Sequence, residues 1–180
     1  MNLYTVLYKG PFGFIKPWTA VRDELTFSQQ FLTPSIIEGM RQKLQVKEIL
    51  RHKVSFQRFD KQQEQTRPKL IKKPKHNFGI LTRGVLINPE LLLAFGSNKD
   101  AKTALNQHIC LCRNEDILLP DKNYGIRELS ETTFDESDGF ELIFTDSTEG
   151  FMVGYNRFND YNPMFGKLEI SDGAIRDEAL

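Results

Sequence analysis

The 180-residue chain is predicted to fold as one α+β domain over residues 1–180, and three observations favour this class. Its length lies within the usual range for a single domain, and 39% of its residues are hydrophobic, which suffices for a sizeable core. Segments with strand-like and helix-like apolar spacing follow one another in the order β-α-β-β-α-β, with further strands after them. No segment approaches the roughly 18 consecutive apolar residues of a membrane span.

The first predicted elements are a strand, a helix and a strand region. Leu3–Tyr8 alternates large apolar residues with smaller ones, and the turn residues of Gly10–Gly13 end this strand. Thr33 can cap free backbone amides, and a proline follows it at the first helical position. The spacing of the next apolar residues predicts a helix over Pro34–Leu44. Val46–Phe59 mixes apolar and cationic residues, a pattern typical of strands with one wet face.

The segment Asp60–Asn77 differs in composition from the rest of the chain. It is polar, has two prolines and carries six cationic or potentially cationic groups within ten residues. Such a segment cannot form core, so we expect it to project as a basic loop or β-hairpin arm. A strand over Phe78–Ile87 follows it.

The second half is predicted to contain one helix and several strands. The apolar residues of 100–112 fit helical spacing, although alternation over its last residues also suits a strand. A short buried strand over Ile117–Leu119 and a C-terminal antiparallel meander of 140–145, 151–158 and 164–175 complete the pattern. The element order indicates a ferredoxin-like, RRM-like core.

The net charge of zero conceals a strong asymmetry, which we call the charge split. Up to Val85 the chain has 16 Lys and Arg against 6 Asp and Glu, and the remainder has 8 against 18. Complementary faces of a two-layer fold are one explanation. The other is a polyanionic partner for the basic half and solvent or a basic protein at the acidic half.

Several functional classes are disfavoured by the motifs. Cys110 and Cys112 are too close in sequence to staple a fold, which suggests a reducing, cytoplasmic location. Together with His108 they lack a fourth ligand, so no metal is expected. The acidic residues of 135–138 are expected to form a solvated turn. No phosphate-binding loop or Gly-x-Ser-x-Gly elbow is present, and no cofactor is expected.

Nucleic acid is the partner that the basic half favours. Clustered cations follow phosphates, and exposed aromatic rings stack on bases. The candidate RNA-binding residues are Trp18, Arg22, Arg41, Arg51, Lys53, Arg67, Lys69, Lys72, Lys73, Lys75 and His76.

Several short stretches resemble one known family. They are Gly10-Pro11-Phe12-Gly13-Phe14 through Pro17, Leu25-Thr26-Phe27-Ser28, Leu32-Thr33-Pro34-Ser35 with Gly39, Ile49 to Phe56, Pro163-Met164-Phe165 and Ser171-Asp172-Gly173-Ala174-Ile175. This pattern is similar to the CRISPR-associated Cas-five family of the RAMP superfamily. The resemblance implies a RAMP-type domain of a guide-RNA surveillance complex, with the arm at 60–77 as its thumb.

The resemblance also implies partners. Such a subunit binds the 5′ handle of the CRISPR RNA (crRNA), caps the backbone filament, and contacts the backbone and large subunits and, indirectly, target DNA; no membrane is involved. One branch, type I-C, cleaves precursor crRNA with a Tyr, Lys and His constellation. Here Lys102-Thr103 stands at its Lys-His pair and Leu44 near its Tyr, which argues against cleavage.

Two alternatives stay open. The first is a metal-independent endoribonuclease in which His76 or His52 is the base. The second is a protein-interaction module that uses the acidic half and does not bind RNA.

Overall fold

The computed structural model describes residues 2–19, 24–65, 79–145 and 149–177. In this part of the chain the elements are, in order, β1 (Asn2–Lys9), β2 (Phe12–Gly13), β3 (Leu25–Phe27), α1 (Pro34–Leu44), β4 (Arg51–Ser55), β5 (Arg58–Gln65), β6 (Ile80–Ile87), β7 (Glu90–Phe95), α2 (Asn98–Leu105), β8 (Ile109–Cys110), β9 (Ile117–Pro120), β10 (Ile126–Ser130), α3 (Glu131–Asp135), β11 (Phe140–Thr145), β12 (Phe151–Asn156) and β13 (Asn162–Ile170).

Four antiparallel strands form the centre of the larger sheet, in the order β4-β7-β1-β10. Along the chain these strands alternate with the helices as β1-α1-β4-β7-α2-β10. This is the ferredoxin-like arrangement, so the predicted α+β class is confirmed. The meander strands extend the sheet beyond β4 in the order β11-β13-β12, and β9 and β8 extend it beyond β1.

Helix α1 has the predicted bounds. The Thr33 side chain accepts a hydrogen bond from the Ile36 amide at 3.4 Å, and Pro34 occupies the first turn. The helix ends at Gln45, which adopts φ 57° and donates its amide to carbonyl oxygens of the last turn. Local hydrogen bonds therefore cap both ends of this helix.

The main core lies between one face of the sheet and helices α1 and α2. Val6 and Tyr8 of β1 point into it, and Ala104 of α2 packs there. The Tyr8 hydroxyl donates a hydrogen bond to the Ala104 carbonyl at 2.7 Å. Small alanines on α2 allow this helix to lie close to the sheet. Burial raises the pKa of the Tyr8 hydroxyl well above its usual value.

The opposite face of the sheet is partly covered by α3. Phe134 of this helix is fully buried against Leu3, Leu92 and Ala94. Of the acidic residues at 135–138, Asp135 is the last residue of α3 and pairs with Arg51, whereas Glu136 and Asp138 are exposed in the turn that follows it, as predicted. Side chains of β7 are buried on both faces of the sheet, alternating between the two clusters.

A smaller sheet holds the base of the predicted arm. In it β5 pairs antiparallel with β6, from Arg58 opposite Ile87 to Gln65 opposite Ile80. Strand β6 also pairs with β2 and, in parallel, with β3. The predicted arm thus begins as a strand over its first residues, and its cationic stretch lies outside the described residues.

Other predictions need correction. The helix predicted over 100–112 spans Asn98–Leu105, and β8 follows it. Just beyond the helix, the Gln107 side-chain amide donates a hydrogen bond to the Leu44 carbonyl at the end of α1. Strand β9 is half exposed rather than buried. The last two strands are shorter than predicted, whereas β11 has the predicted bounds. Strands β7 and β10 and helix α3 lie where no element is predicted. None of the described helices is long and apolar enough to cross a membrane.

Candidate nucleic-acid interface

A groove of about 460 Å³ runs between the outer side of α1 and strand β12, and we call it the α1–β12 groove. Its floor includes Met40, Val153 and Met164, and β8 contributes Cys110 to its wall. The segment before β3 brings Trp18 to the rim. Residues from four distant parts of the sequence therefore meet along one concave surface.

Two glycines give the groove its shape. Gly154 adopts φ +128°, and a Cβ added there would lie 3.3 Å from Trp18 Cβ. A Cβ on Gly39 of α1 would lie 3.3 Å from Nη2 of Arg157. These positions lack side chains where an aromatic ring and a guanidinium approach the backbone.

Two exposed aromatic rings stand at the rim. Trp18 is 48% exposed and Tyr155 is 55% exposed, although both are large amphipathic side chains. Their ring centroids are 6.1 Å apart and the planes meet at 89°, an edge-to-face contact. This contact leaves ring faces free for an unpaired base to stack on.

Three cations line the groove, and no described carboxylate does so. They are Lys16, Lys43 of α1 and Arg157, which follows β12. The Arg157 guanidinium also lies 4.7 Å from the centre of the Phe158 ring. Aromatic faces and cations without competing acids are what a single-stranded nucleic acid requires.

Two of the predicted phosphate ligands are held by internal contacts. The Arg51 guanidinium bonds both carboxylate oxygens of buried Glu141, at 2.8 and 2.6 Å, and also pairs with Asp135. The Lys53 side chain is 3% exposed, and its Nζ donates to the carbonyls of Asp135 and Ser137 at 2.7 and 2.6 Å. The hydrogen bonds that Arg51 donates to Glu141 raise the pKa of Arg51, whereas burial lowers the pKa of Lys53. We therefore leave both residues out of the candidate interface.

Arg41 is likewise engaged within α1. Its Nε and Nη2 bond the Glu38 carboxylate at 2.7 and 2.8 Å, and Nη1 reaches the Val46 carbonyl. The hydrogen bonds from Arg41 lower the pKa of Glu38 to about 2. Trp18 is thus the predicted RNA-binding residue that lies in the α1–β12 groove.

The remaining predicted RNA-binding residues lie outside the described part of the chain. They are Arg22, Arg67, Lys69, Lys72, Lys73, Lys75 and His76. Their role stays a prediction from the sequence.

The ribonuclease alternative has two candidate bases, His52 and His76. His52 is 2% exposed, stacks on Phe144 and has no hydrogen-bond partner for Nε2 among the described residues. Burial first, and then neighbouring Arg51, lowers the pKa of His52 to about 3. A ring buried in this way cannot reach a ribose hydroxyl. His76 lies outside the described residues.

Within the described ranges no group of three or more His, Cys, Asp or Glu side chains could hold a metal ion. Cys112 is exposed and Cys110 half-buried, and both line the groove.

Sequence reasoning missed most of the groove. Lys16, Lys43, Tyr155 and Arg157 were not among the predicted site residues, and the last two belong to the acidic half of the charge split. One signal was available: Tyr155, Arg157 and Phe158 follow a glycine within five residues. That clustering of aromatic and cationic residues is typical of a nucleic-acid surface.

Comparison with known proteins gives one informative result. No protein-family model and no curated protein sequence matches the chain. Ten chains of solved structures match it. One belongs to a structure described as a "CRISPR RNA-guided surveillance complex", with a TM-score of 0.56 and 12% identity over 94% of this chain and 88% of that chain. The likeness shows a shared α+β fold over nearly the whole chain.

Proposed function

We propose that the protein is a non-catalytic, cytoplasmic subunit of a Cascade-like CRISPR surveillance complex, and that the α1–β12 groove binds single-stranded guide RNA. The observation that carries the proposal is the groove itself. Two exposed rings and three cations line it without a described carboxylate, on a fold similar to a chain of such a complex.

The chemistry of the groove favours RNA that is not base-paired. Lys16, Lys43 and Arg157 supply positive charge for a phosphate backbone. Trp18 and Tyr155 supply ring faces, and stacking on such rings contributes about 1–3 kcal/mol per base. A paired strand would hide the base faces that these rings contact.

The finer part of the proposal rests on the family resemblance. In it the bound segment is the 5′ handle of the crRNA, and the subunit caps the backbone filament, contacts the large subunit and meets target DNA indirectly. The arm at 60–77 would bind further phosphates of the same RNA. The resemblance and the basic composition of the arm support this assignment.

The groove is tested by salt-dependent RNA binding. A Lys43→Ala/Arg157→Ala double variant removes two groove cations, so the slope of log K against log salt should become shallower by about 1.4 with single-stranded repeat RNA. The matched control is Lys99→Ala/Lys102→Ala, which removes two exposed lysines of α2 outside the groove. Fluorescence anisotropy at several salt concentrations gives both slopes.

A second arm of the experiment tests stacking. Trp18→Ala should weaken binding roughly tenfold, whereas Trp18→Phe should retain most of it. If the groove variants bind RNA with the affinity and salt slope of the wild type, or if the α2 control loses as much as they do, the groove assignment is wrong. A Lys72→Ala/Lys73→Ala/Lys75→Ala variant tests the arm separately by the same measurement. Incubation with repeat RNA in chelator, followed by analysis for 2′,3′-cyclic phosphate ends, tests the ribonuclease alternative.

A further inference from the structure

The turn between β12 and β13 holds two non-glycine residues in the left-handed region. Asp160 has φ 45° and Tyr161 has φ 55°. The Asn162 amide donates to the Asn159 carbonyl at 2.9 Å, so these two residues are the centre of a four-residue turn. Positive φ at both central positions is the type I′ geometry, in which the second position favours glycine.

Tyrosine at that second position is costly for the fold. Its Cβ crowds the backbone in the left-handed region, whereas glycine adopts the same angles freely. Burial does not compensate, since Tyr161 is 70% exposed. Among the described residues its side chain makes no hydrogen bond and no ring contact, in contrast to Tyr155. Strained residues that contribute nothing to packing are found at functional sites.

The turn is continuous with the α1–β12 groove. The Tyr161 amide donates to the Asn156 carbonyl at 3.0 Å, and Asn156 directly follows groove residue Tyr155. Arg157 belongs to both features, because it lines the groove and lies over the ring of Phe158 in the turn. Phe158 is 41% exposed, so exposed aromatic rings continue from the groove onto the turn.

We propose that Tyr161 is a base-stacking residue that binds an unpaired nucleobase of RNA adjacent to the segment held in the groove. The inference rests on the proposed function and extends the binding surface beyond the groove. The Tyr161 side chain is 70% exposed, so its ring is accessible to a base. Arg157 lines the groove and lies over the Phe158 ring, so it is placed to contact the phosphate between the two bound bases.

The occupant is RNA rather than a protein because of what surrounds the ring. The neighbouring groove is lined by cations, and no described carboxylate lines it. The residues on either side of Tyr161 in the turn are polar, namely Asn159, Asp160 and Asn162. Stacking on a base needs only such a face, whereas a protein interface buries a wider apolar area.

The test separates strain from binding, because the two should respond in opposite directions. Tyr161→Gly relieves the backbone strain, so the melting temperature should rise, while affinity for single-stranded RNA should fall roughly tenfold. Tyr161→Phe retains the ring and should bind RNA within about twofold of wild type. Asp160→Gly is the matched control: it relieves strain at the adjacent residue, so stability should rise without loss of RNA affinity.

The outcomes distinguish this inference from the proposed function. Wild-type RNA affinity in Tyr161→Gly, together with weakened binding in Trp18→Ala, would overturn the role of Tyr161 and leave the groove intact. Wild-type affinity in both variants would overturn both proposals. If Tyr161→Gly bound RNA normally but failed to assemble with a backbone subunit, the ring would be a protein contact and the inference would be wrong.

Discussion

The buried imidazole of His52 makes the stability of the protein sensitive to acid. Its ring stacks on Phe144 with a centroid distance of 5.9 Å, and Nε2 has no partner among the described residues. Protonation would place an unpaired charge in the core beside Arg51, so the native pKa falls from 6.5 to about 3. The unfolded chain therefore binds a proton that the folded chain excludes.

The sign and size of the effect follow from this difference. The stabilisation is fully present above pH 6.5 and is lost as the pH falls from 6.5 towards 3. Between pH 8 and pH 5 the free energy of unfolding should fall by about 2 kcal/mol on account of His52 alone. Below pH 5 the carboxylates also titrate, so the measurement is confined to the range from pH 8 to pH 5.

Urea unfolding at several pH values measures this loss. The variant His52→Leu fills a similar volume without a titratable group, and its unfolding free energy should be about 2 kcal/mol less sensitive over the same range. The difference between the two proteins removes contributions from other groups. Equal acid sensitivity in wild type and variant would refute the reasoning.

Two further predictions concern a buried lysine of the sheet and the glycine beside Trp18. Lys53→Met leaves the carbonyl oxygens of Asp135 and Ser137 without their buried donor, so the free energy of unfolding should fall by about 2–3 kcal/mol. Urea unfolding measures this loss. The RNA affinity of the variant should not change. Gly154→Ala should cost about 1–3 kcal/mol at its φ of +128° and shift the emission of Trp18, the single tryptophan, because the new Cβ displaces that ring. An unchanged emission spectrum would show that Gly154 does not position Trp18.

The elements that could be predicted are those with local signals. Thr33 and Pro34 specify the start of α1 within four residues, and its apolar spacing specifies the buried face. The bounds of α1 and β11 were correct for this reason. By contrast, β7 is buried on both faces, so its continuous apolar run lacks the alternation by which strands are identified.

The candidate site was predictable only in part. Trp18 is conspicuous in a basic region, but Arg51 and Lys53 were expected to face a phosphate backbone and instead bind Glu141 and the carbonyls near α3. Nothing local distinguishes a lysine that contacts solvent from one that a later strand buries. The partners of these cations lie 82 to 118 residues away in sequence.

The amino-acid sequence determined the α+β class, helix α1 and the charge split, because caps, periodicity and composition act within a few residues. The tertiary structure decided which cations are free and which are paired, and it brought Trp18 beside Tyr155 across 137 positions. The physical reason is that distant elements become neighbours in the fold. Strand β11 lies beside β4, which pairs basic with acidic residues, and strand β12 lies near α1, which forms the groove. Part of the positive charge of the first half is thus neutralised within the fold, where Arg51 pairs with Glu141 and Asp135. Another part lines the groove at Lys16 and Lys43.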